Sequence, residues 1–356
     1  MNPPEVIFGV GALDQLGSAI ERQGARRVVV IASRSRERVV ERVQQLLHGK
    51  IAGWESTVTP QVPETLVSVA LARIQAVDSD AMIAIGGGSA IGLAKAVALS
   101  GGPPILAVPT TYSGSEATSI WGITRRDHKD TGRDPRVLPR TIIYDPLLTL
   151  DLPPSVTGPS LFNAMAHCIE AAYAPKADAT MKDSALAGFG ILLTALEHLV
   201  DNPGAVSART EAFRGSWLAG QALERSPMGL HHQICHILGG TYGLDHAGCH
   251  TVLLPYIVAF NQPAAESPVE ALARAFSQAT GSATQGSKLG SALWHLGQRL
   301  ARGAALPRSL GQLGFEEKWI EHVAQAVVAA PYPNPRRAEM HEVTRLLARA
   351  HQGAPF

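Results

Sequence analysis

The stretch Asp80-Ala81-Met82-Ile83-Ala84-Ile85-Gly86-Gly87-Gly88-Ser89 decides the reading of this chain. Its apolar run has no polar alternation, as expected of a strand covered on both faces. The glycines make a turn in which backbone can approach a ligand, and residues 89–99 then read as a helix. The same order recurs around it. Residues 27–32 are a β-branched run, followed by Val39, Val40, Val43, Leu46 and Leu47 at helical spacing. Pro63 suits the first turn of a second helix through Val67, Leu71 and Ile74. Residues 104–108 give a third core strand and 140–145 the last. Strand–helix alternation predicts a parallel sheet with helices on both faces.

Residues 146–158 carry three prolines and read as a junction. Beyond them alanine- and leucine-rich helical segments dominate, with breaks expected at Pro203, Gly239-Gly240 and Pro255. The expected division is 1–152, an α/β dinucleotide-binding domain, and 153–356, an all-α substrate and catalytic domain. Two domains suit a chain of 356 residues.

With 46% hydrophobic and 17% charged residues, the chain reads as folded with a sizeable core. The 31 basic and 30 acidic residues leave no excess charge to neutralise a nucleic acid or an anionic membrane. Neither partner is expected. The start, Met1-Asn2-Pro3-Pro4-Glu5, has neither a basic n-region nor an apolar h-region, so a cytoplasmic location is expected. Residues 96–115 form an uncharged run of membrane-span length, but Gly101-Gly102-Pro103-Pro104 and Pro109 interrupt it. Cys168, Cys235 and Cys249 lack CxxC spacing and read as small buried fillers in a reducing compartment.

The glycine turn can present the first amides of a helix to a pyrophosphate. A second loop, Pro109-Thr110-Thr111-Tyr112-Ser113-Gly114-Ser115-Glu116, follows the next strand and concentrates hydroxyls and amides. Ligands of open α/β sheets bind beyond the carboxyl ends of strands, where both loops sit. The expected cofactor contacts are Gly87, Gly88, Ser89, Thr110, Thr111 and Ser115, with Arg140 reaching a ribose. The first strand ends in Ser33-Arg34-Ser35-Arg36, and these arginines suit a 2′-phosphate, so NADH and NADPH both stay open.

The second half carries three pairs spaced i, i+4: Asn163/His167, His232/His236 and His246/His250. Four helical residues turn about 400°, so each pair shares a face. One reading is a divalent metal held by Asn163, His167, His232 and His246, since imidazole suits zinc and iron. The other is a metal-free site in which His246, His250, His232 and His236 donate hydrogen bonds and protons.

Gly86-Gly87-Gly88-Ser89, the Thr110-Thr111…Gly114-Ser115-Glu116 loop and Gly229…His232-x-x-x-His236…His246 resemble the iron-containing alcohol dehydrogenase family. The family's Asp-x-x-x-His pair and two later histidines match Asn163, His167, His232 and His246, so this chain departs at the acidic ligand. Gly92 also stands where the family usually has Asp. Both departures, with Trp121-Gly122, Gly132-Arg133-Asp134, Val137-Leu138-Pro139, Tyr144-Asp145-Pro146, Leu230-His231-His232 and Asn334-Pro335-Arg336, are similar to the maleylacetate reductase branch. The resemblance implies NAD(P)H-dependent reduction of the activated double bond of maleylacetate, chlorinated or not, to 3-oxoadipate in aromatic degradation. It also implies a homodimer and a dicarboxylate substrate, with Tyr112, Asn163, His167 and Arg336 as candidate contacts. Metal is expected to be dispensable, because an enone needs less electrophilic help than an alcohol. The alternatives are a metal-dependent alcohol or polyol dehydrogenase of the same family, or a silent binding protein on the same fold.

Overall fold

The computed structural model describes residues 3–33, 37–125, 128–175 and 177–356. It separates into two compact units, Met1–Leu152 and Pro153–Phe356.

In the first unit the chain runs β1 (Glu5–Phe8), α1 (Leu16–Arg22), β2 (Val28–Ala32), α2 (Glu37–Leu46), β3 (Ile51–Glu55), α3 (Glu64–Ala76) and β4 (Ala81–Gly86). It continues through α4 (Gly88–Leu99), β5 (Ile105–Pro109), β6 (Ile120–Arg125), β7 (His128–Arg133) and β8 (Thr141–Tyr144). Six strands form one parallel sheet in the order β1-β8-β5-β4-β2-β3. Strand residues alternate between two cores. Val28, Val30, Ile83 and Ile85 pack on one face with Leu16 and Ile20 of α1, while Val29, Ile31, Met82 and Ala84 pack on the other with Val67 and Ile74 of α3. Burial on both faces is why these strands read as unbroken apolar runs.

Three features escaped the sequence reading. Strand β1 is a short edge strand with Val6 and Phe8 exposed. Strand β3 has Gly53 at its centre and ends in Glu55, which is 1% exposed and accepts from Arg73 at 3.0 Å. The antiparallel hairpin β6–β7 lies outside the main sheet. At Gly132 an added Cβ would meet the Trp121 indole at 2.7 Å, so the ring crosses the facing strand through the space a side chain would take.

The second unit contains α5 (Pro154–Ala172), α6 (Ala179–Asp201), α7 (Val206–Arg225), α8 (Leu230–Tyr242) and α9 (His246–Asn261). Then come α10 (Glu266–Thr280), α11 (Leu289–Leu300), α12 (Ile320–Ala329) and α13 (Met340–Gln352). No strand follows β8 among the described residues. Helix α5 is buried on every side from Thr157 to Ala172 and packs against α6, α7 and α9, which makes it the axis of the unit. Helix α6 is long and apolar enough to cross a membrane, and here it packs against α5, α7 and α10.

Two expected helix breaks are corrected. Gly239 and Gly240 lie inside α8, whose stop signal is Gly243, in the left-handed region at φ 68°. Pro255 lies inside α9, where it forfeits one backbone hydrogen bond. Complete burial of Leu253, Leu254 and Ile257 around it outweighs that loss. Pro203 does separate α6 from α7.

Candidate active site

Strand β4 ends at Gly86, with φ +147°, a conformation that favours glycine. An added Cβ there would also meet Ala90 Cβ at 2.9 Å. Gly87 caps α4, and Gly88 is its exposed first residue, with open space where a side chain would go. Gly86 and Pro109 are register partners, and the Thr110 amide donates to the Gly86 carbonyl at 3.0 Å. The two expected cofactor loops therefore leave the sheet side by side. They touch at Gly87, where a Cβ would sit 2.8 Å from Thr111 Cγ2. Thr110 is fully buried with no hydrogen-bond partner at its hydroxyl, and Ser115 and Ser113 hydroxyls lie 3.3 Å apart. Exposed helix amides and glycine backbone are what a pyrophosphate needs.

The second loop is held by a residue the sequence reading passed over. Lys95, 2% exposed, donates to the carbonyls of Ser115 (2.6 Å), Thr118 (2.6 Å) and Ile120 (3.0 Å), and to Thr118 Oγ1 at 3.0 Å. A buried ammonium is tolerated only with such a full set of acceptors. Its signal was there to read: it is the one charge in α4. Beside it Glu116 is buried and accepts from the Tyr144 hydroxyl at 2.8 Å; burial pushes its carboxyl up. Gly92 leaves little room, since a Cβ there would meet Val62 Cγ2 at 3.0 Å.

Two expected contacts, Arg140 and Tyr112, are corrected. Arg140 precedes β8 and donates its amide to Ile105, the first residue of β5, whereas the cofactor loop follows Pro109, the last. At about 3.3 Å per residue it stands about 13 Å away, at the wrong end of the sheet. Tyr112 is fully buried and its hydroxyl donates to Thr149 Oγ1 at 2.8 Å, which removes it from the substrate set. Arg336 stacks on Phe260 at 3.7 Å and gives two of its five N–H groups to the Phe260 carbonyl and to Glu342, which ties it to α9 and α13. Arg34 and Arg36 lie outside the described residues.

In the second unit the histidines gather. Asn163, His167 and Glu170 lie at i, i+4 and i+7 on α5. His231 and His232 stand in the first turn of α8, and His246 is the first residue of α9, which Asp245 caps by accepting from the Gly248 amide at 2.6 Å. His167 stacks on His232 with centroids 4.8 Å apart, His232 meets His250 edge-on at 4.7 Å, and His246 meets His250 at 4.4 Å. His236 stacks on His246 at 6.0 Å. All five sequence-predicted histidines are thus in one cluster, and Asn163, 6% exposed, joins it from the face of His167.

Two members were missed. His231 Nε2 lies 2.8 Å from His250 Nδ1, and His250 Nε2 lies 3.1 Å from His246 Nε2, making a chain of three imidazoles. Glu170, 1% exposed, meets His232 Nδ1 at 2.6 Å and accepts from the amides of Gly229 (2.9 Å) and His231 (2.8 Å). His250 is fully buried with both ring nitrogens committed to other imidazoles, so it connects rather than contacts; His246 and His236 are the partly exposed members.

Burial pulls His231 down to about 3, and burial with the neighbouring His246 carries His250 well below its ordinary value, so both are neutral at pH 7. Burial, the largest influence on Glu170, pushes its carboxyl up. Against it, the hydrogen bond with His232, the neighbouring His232 and His231 imidazoles and the Gly229 amide bring it below the usual carboxylate value. All three cysteines are free and buried. Cys235 Sγ lies 3.8 Å from His231 Nε2, and with His250 these ligand-type atoms fall within 4.8 Å of one another. Burial pushes the Cys235 thiol up, so the group reads as packed core rather than a thiolate site.

Models of the iron-containing alcohol dehydrogenase match residues 3–146 and, for the C-terminal part of the family, residues 158–351. The chain belongs to this family, in its maleylacetate reductase branch. It is 42% identical over 350 residues to a maleylacetate reductase of Burkholderia cepacia, covering 98% of this chain and 96% of the relative. It is 40% identical to that of Pseudomonas sp. (strain P51), covering 99% and 97%. The crystal structure of maleylacetate reductase from Rhizobium sp. strain MTP-10005 superposes with TM-score 0.88 at 34% identity, over 100% of this chain and 98% of that one. The chain is accordingly an oxidoreductase.

The family name implies a metal, and the residues at its four positions can be tested for fit. Asn163 Oδ1 and His232 Nε2 are buried without hydrogen-bond partners, as free ligand atoms would be. But none of the four side chains brings a negative charge, and His246 Nε2 is engaged with His250. Glu170, the one carboxylate of the cluster, faces three donors behind His232. A divalent ion would bring two charges into a buried site with one fixed negative charge to offset them. The set lacks the family's acidic ligand and leaves three imidazoles, as many as hold zinc in three-histidine sites.

Proposed function

We propose that this chain reduces the activated double bond of maleylacetate, or a chloro-substituted form of it, to 3-oxoadipate, using NADH or NADPH and no catalytic metal. The observation that carries this reading is the imidazole cluster, rich in neutral donors and lacking a charged metal ligand, in a chain so similar to maleylacetate reductases along its whole length.

Gly87, Gly88, Ser89, Thr110, Thr111 and Ser115 would hold the phosphates of a reduced nicotinamide, which when bound would supply the hydride that the alkene carbon β to the ketone receives. As that bond forms, the electron pair of the double bond moves onto the ketone oxygen. The chain's task is to stabilise this enolate oxygen and return a proton to the α carbon. A preorganised donor at such an oxygen is worth about 3–4 kcal/mol. His246 and His236, the partly exposed members, and His232, with its open Nε2, serve as donors and acids; His250 and His231 hold His246 in place. Asn163 and His167 are the proposed contacts for a substrate carboxylate.

The working assembly on this reading is a cytoplasmic homodimer with no nucleic-acid or membrane partner, which sedimentation of the purified protein would check. The decisive assay follows NADH oxidation with maleylacetate beside simple aldehydes and glycerol, with and without a chelator. Turnover of maleylacetate alone, unchanged by the chelator, is expected. Preferential turnover of aldehydes or glycerol, lost in chelator and restored by iron or zinc, would replace the proposal with a metal-dependent dehydrogenase.

A further inference from the structure

Glu170 touches no solvent and stands behind the cluster, yet three hydrogen bonds converge on it. Oε1 accepts from the His231 amide, while Oε2 accepts from the Gly229 amide and lies 2.6 Å from His232 Nδ1. Both amides can only donate, and both belong to the start of α8, where the helix favours negative charge. The carboxylate thus caps a helix that is not its own. The fit is close: a Cβ at Gly229 would come within 3.0 Å of Glu170 Oε1 and 2.9 Å of the Pro333 carbonyl. Asn334 closes the other side, exchanging two side-chain hydrogen bonds with Asn261 at 3.1 and 2.7 Å. Neither Glu170 nor the start of α8 has room to drift.

An ionised carboxylate can only accept, so the hydrogen between Glu170 and His232 belongs to Nδ1. His232 Nε2 is buried without a hydrogen-bond partner, and His167 stacks on the ring at an interplanar angle of 21°, fixing its plane. We propose that Glu170 is a positioning residue: by holding the Nδ1 proton of His232 it leaves Nε2 as the one ring atom through which His232 meets a ligand or exchanges a proton. The ligand class is a carbonyl or carboxylate compound, whose oxygen takes a hydrogen bond from protonated Nε2 or whose enol hydroxyl gives one to its lone pair. The role assigned to His232 in catalysis rests on the function proposed above; the tautomer does not.

Ring nitrogen NMR on 15N-labelled enzyme tests the tautomer directly and needs no substrate, so it stands even if the reaction is misassigned. In the unaltered enzyme His232 should carry its proton on Nδ1, with His232→Gln used to assign the signal. A bare Nδ1 would overturn the proposal. Glu170→Gln removes the fixed charge and leaves one amide oxygen for Nδ1 and the two backbone amides to share, so the fraction of the His232 proton on Nδ1 should fall while the fold, judged by circular dichroism, is kept. Maleylacetate turnover should then fall by about 10²-fold or more, with KM for NADH unchanged. In a His232→Ala background the same substitution should cost nothing further, since Glu170 acts through His232. Additive losses in that cycle, or an unmoved proton in a folded Glu170→Gln enzyme, would show Glu170 to be a helix cap alone.

Discussion

The glycine turn of the first unit and the imidazole cluster of the second are built on opposite principles. The turn works through backbone: three successive glycines, the start of α4 and a neighbouring loop one register step away. Almost nothing but the absence of side chains is required of it. The cluster works through side chains that hold one another, with Glu170 fixing His232 and His231 fixing His250 and, through it, His246. The difference teaches what each region can lose. Adding atoms should damage the turn, and removing them should damage the cluster.

The largest effect is expected in the cluster. His246→Ala should lower kcat by about 10²–10⁴-fold, the usual worth of a positioned acid, with NADH affinity retained and no recovery on adding zinc or iron. Steady-state kinetics with and without metal would check it, and recovery with metal would break the contrast. Next comes the turn. Gly88→Leu meets open space within the fold, so it should leave the melting temperature in place and raise the dissociation constant for NADH about tenfold or more, a loss of about 1.4 kcal/mol. Fluorescence titration would measure it.

A smaller effect, on stability, comes one residue earlier. Gly87→Ala places a methyl 2.8 Å from Thr111 Cγ2 and should cost about 1–3 kcal/mol, read as a shift in the denaturant midpoint. A neutral result would mean that the two loops part easily. The last effect is zero at pH 7 and grows with acid. His231 is held at about 3 in the folded chain against 6.5 when exposed, so between these values the unfolded chain binds the extra proton. The stability contributed by neutral His231 is therefore complete above pH 6.5 and is lost as pH falls toward 3. Thermal melts across that window should slope downward, and more gently in His231→Asn.

The contrast also explains what could be read in advance. The parallel sheet was legible because strands covered on both faces write themselves as apolar runs, and the two loops that leave it side by side because each is local in sequence. Arg140 misled because a position in sequence near a strand does not say which end of the sheet it occupies; only the register with Ile105 does. Tyr112 stood in the right loop, but the partner that buries it, Thr149, is 37 residues on. Glu170 lay one turn past His167 on the same face and could have been found by extending the i, i+4 spacing by three. His231 could not: it lies one residue from His232, and only the packing of α8 on α9 turns it toward His250.

The three thiols are sealed in the core, and burial pushes each of them well above its ordinary value. Almost no thiolate exists in the closed molecule at neutral pH, so alkylating reagents find nothing to attack until a segment opens. Cys168 reports on the central helix of the second unit, and Cys235 and Cys249 on the two helices that carry most of the clustered histidines. The rate at which a thiol reagent labels them is therefore a clock for the breathing of the imidazole cluster, wound into the chain without any added probe.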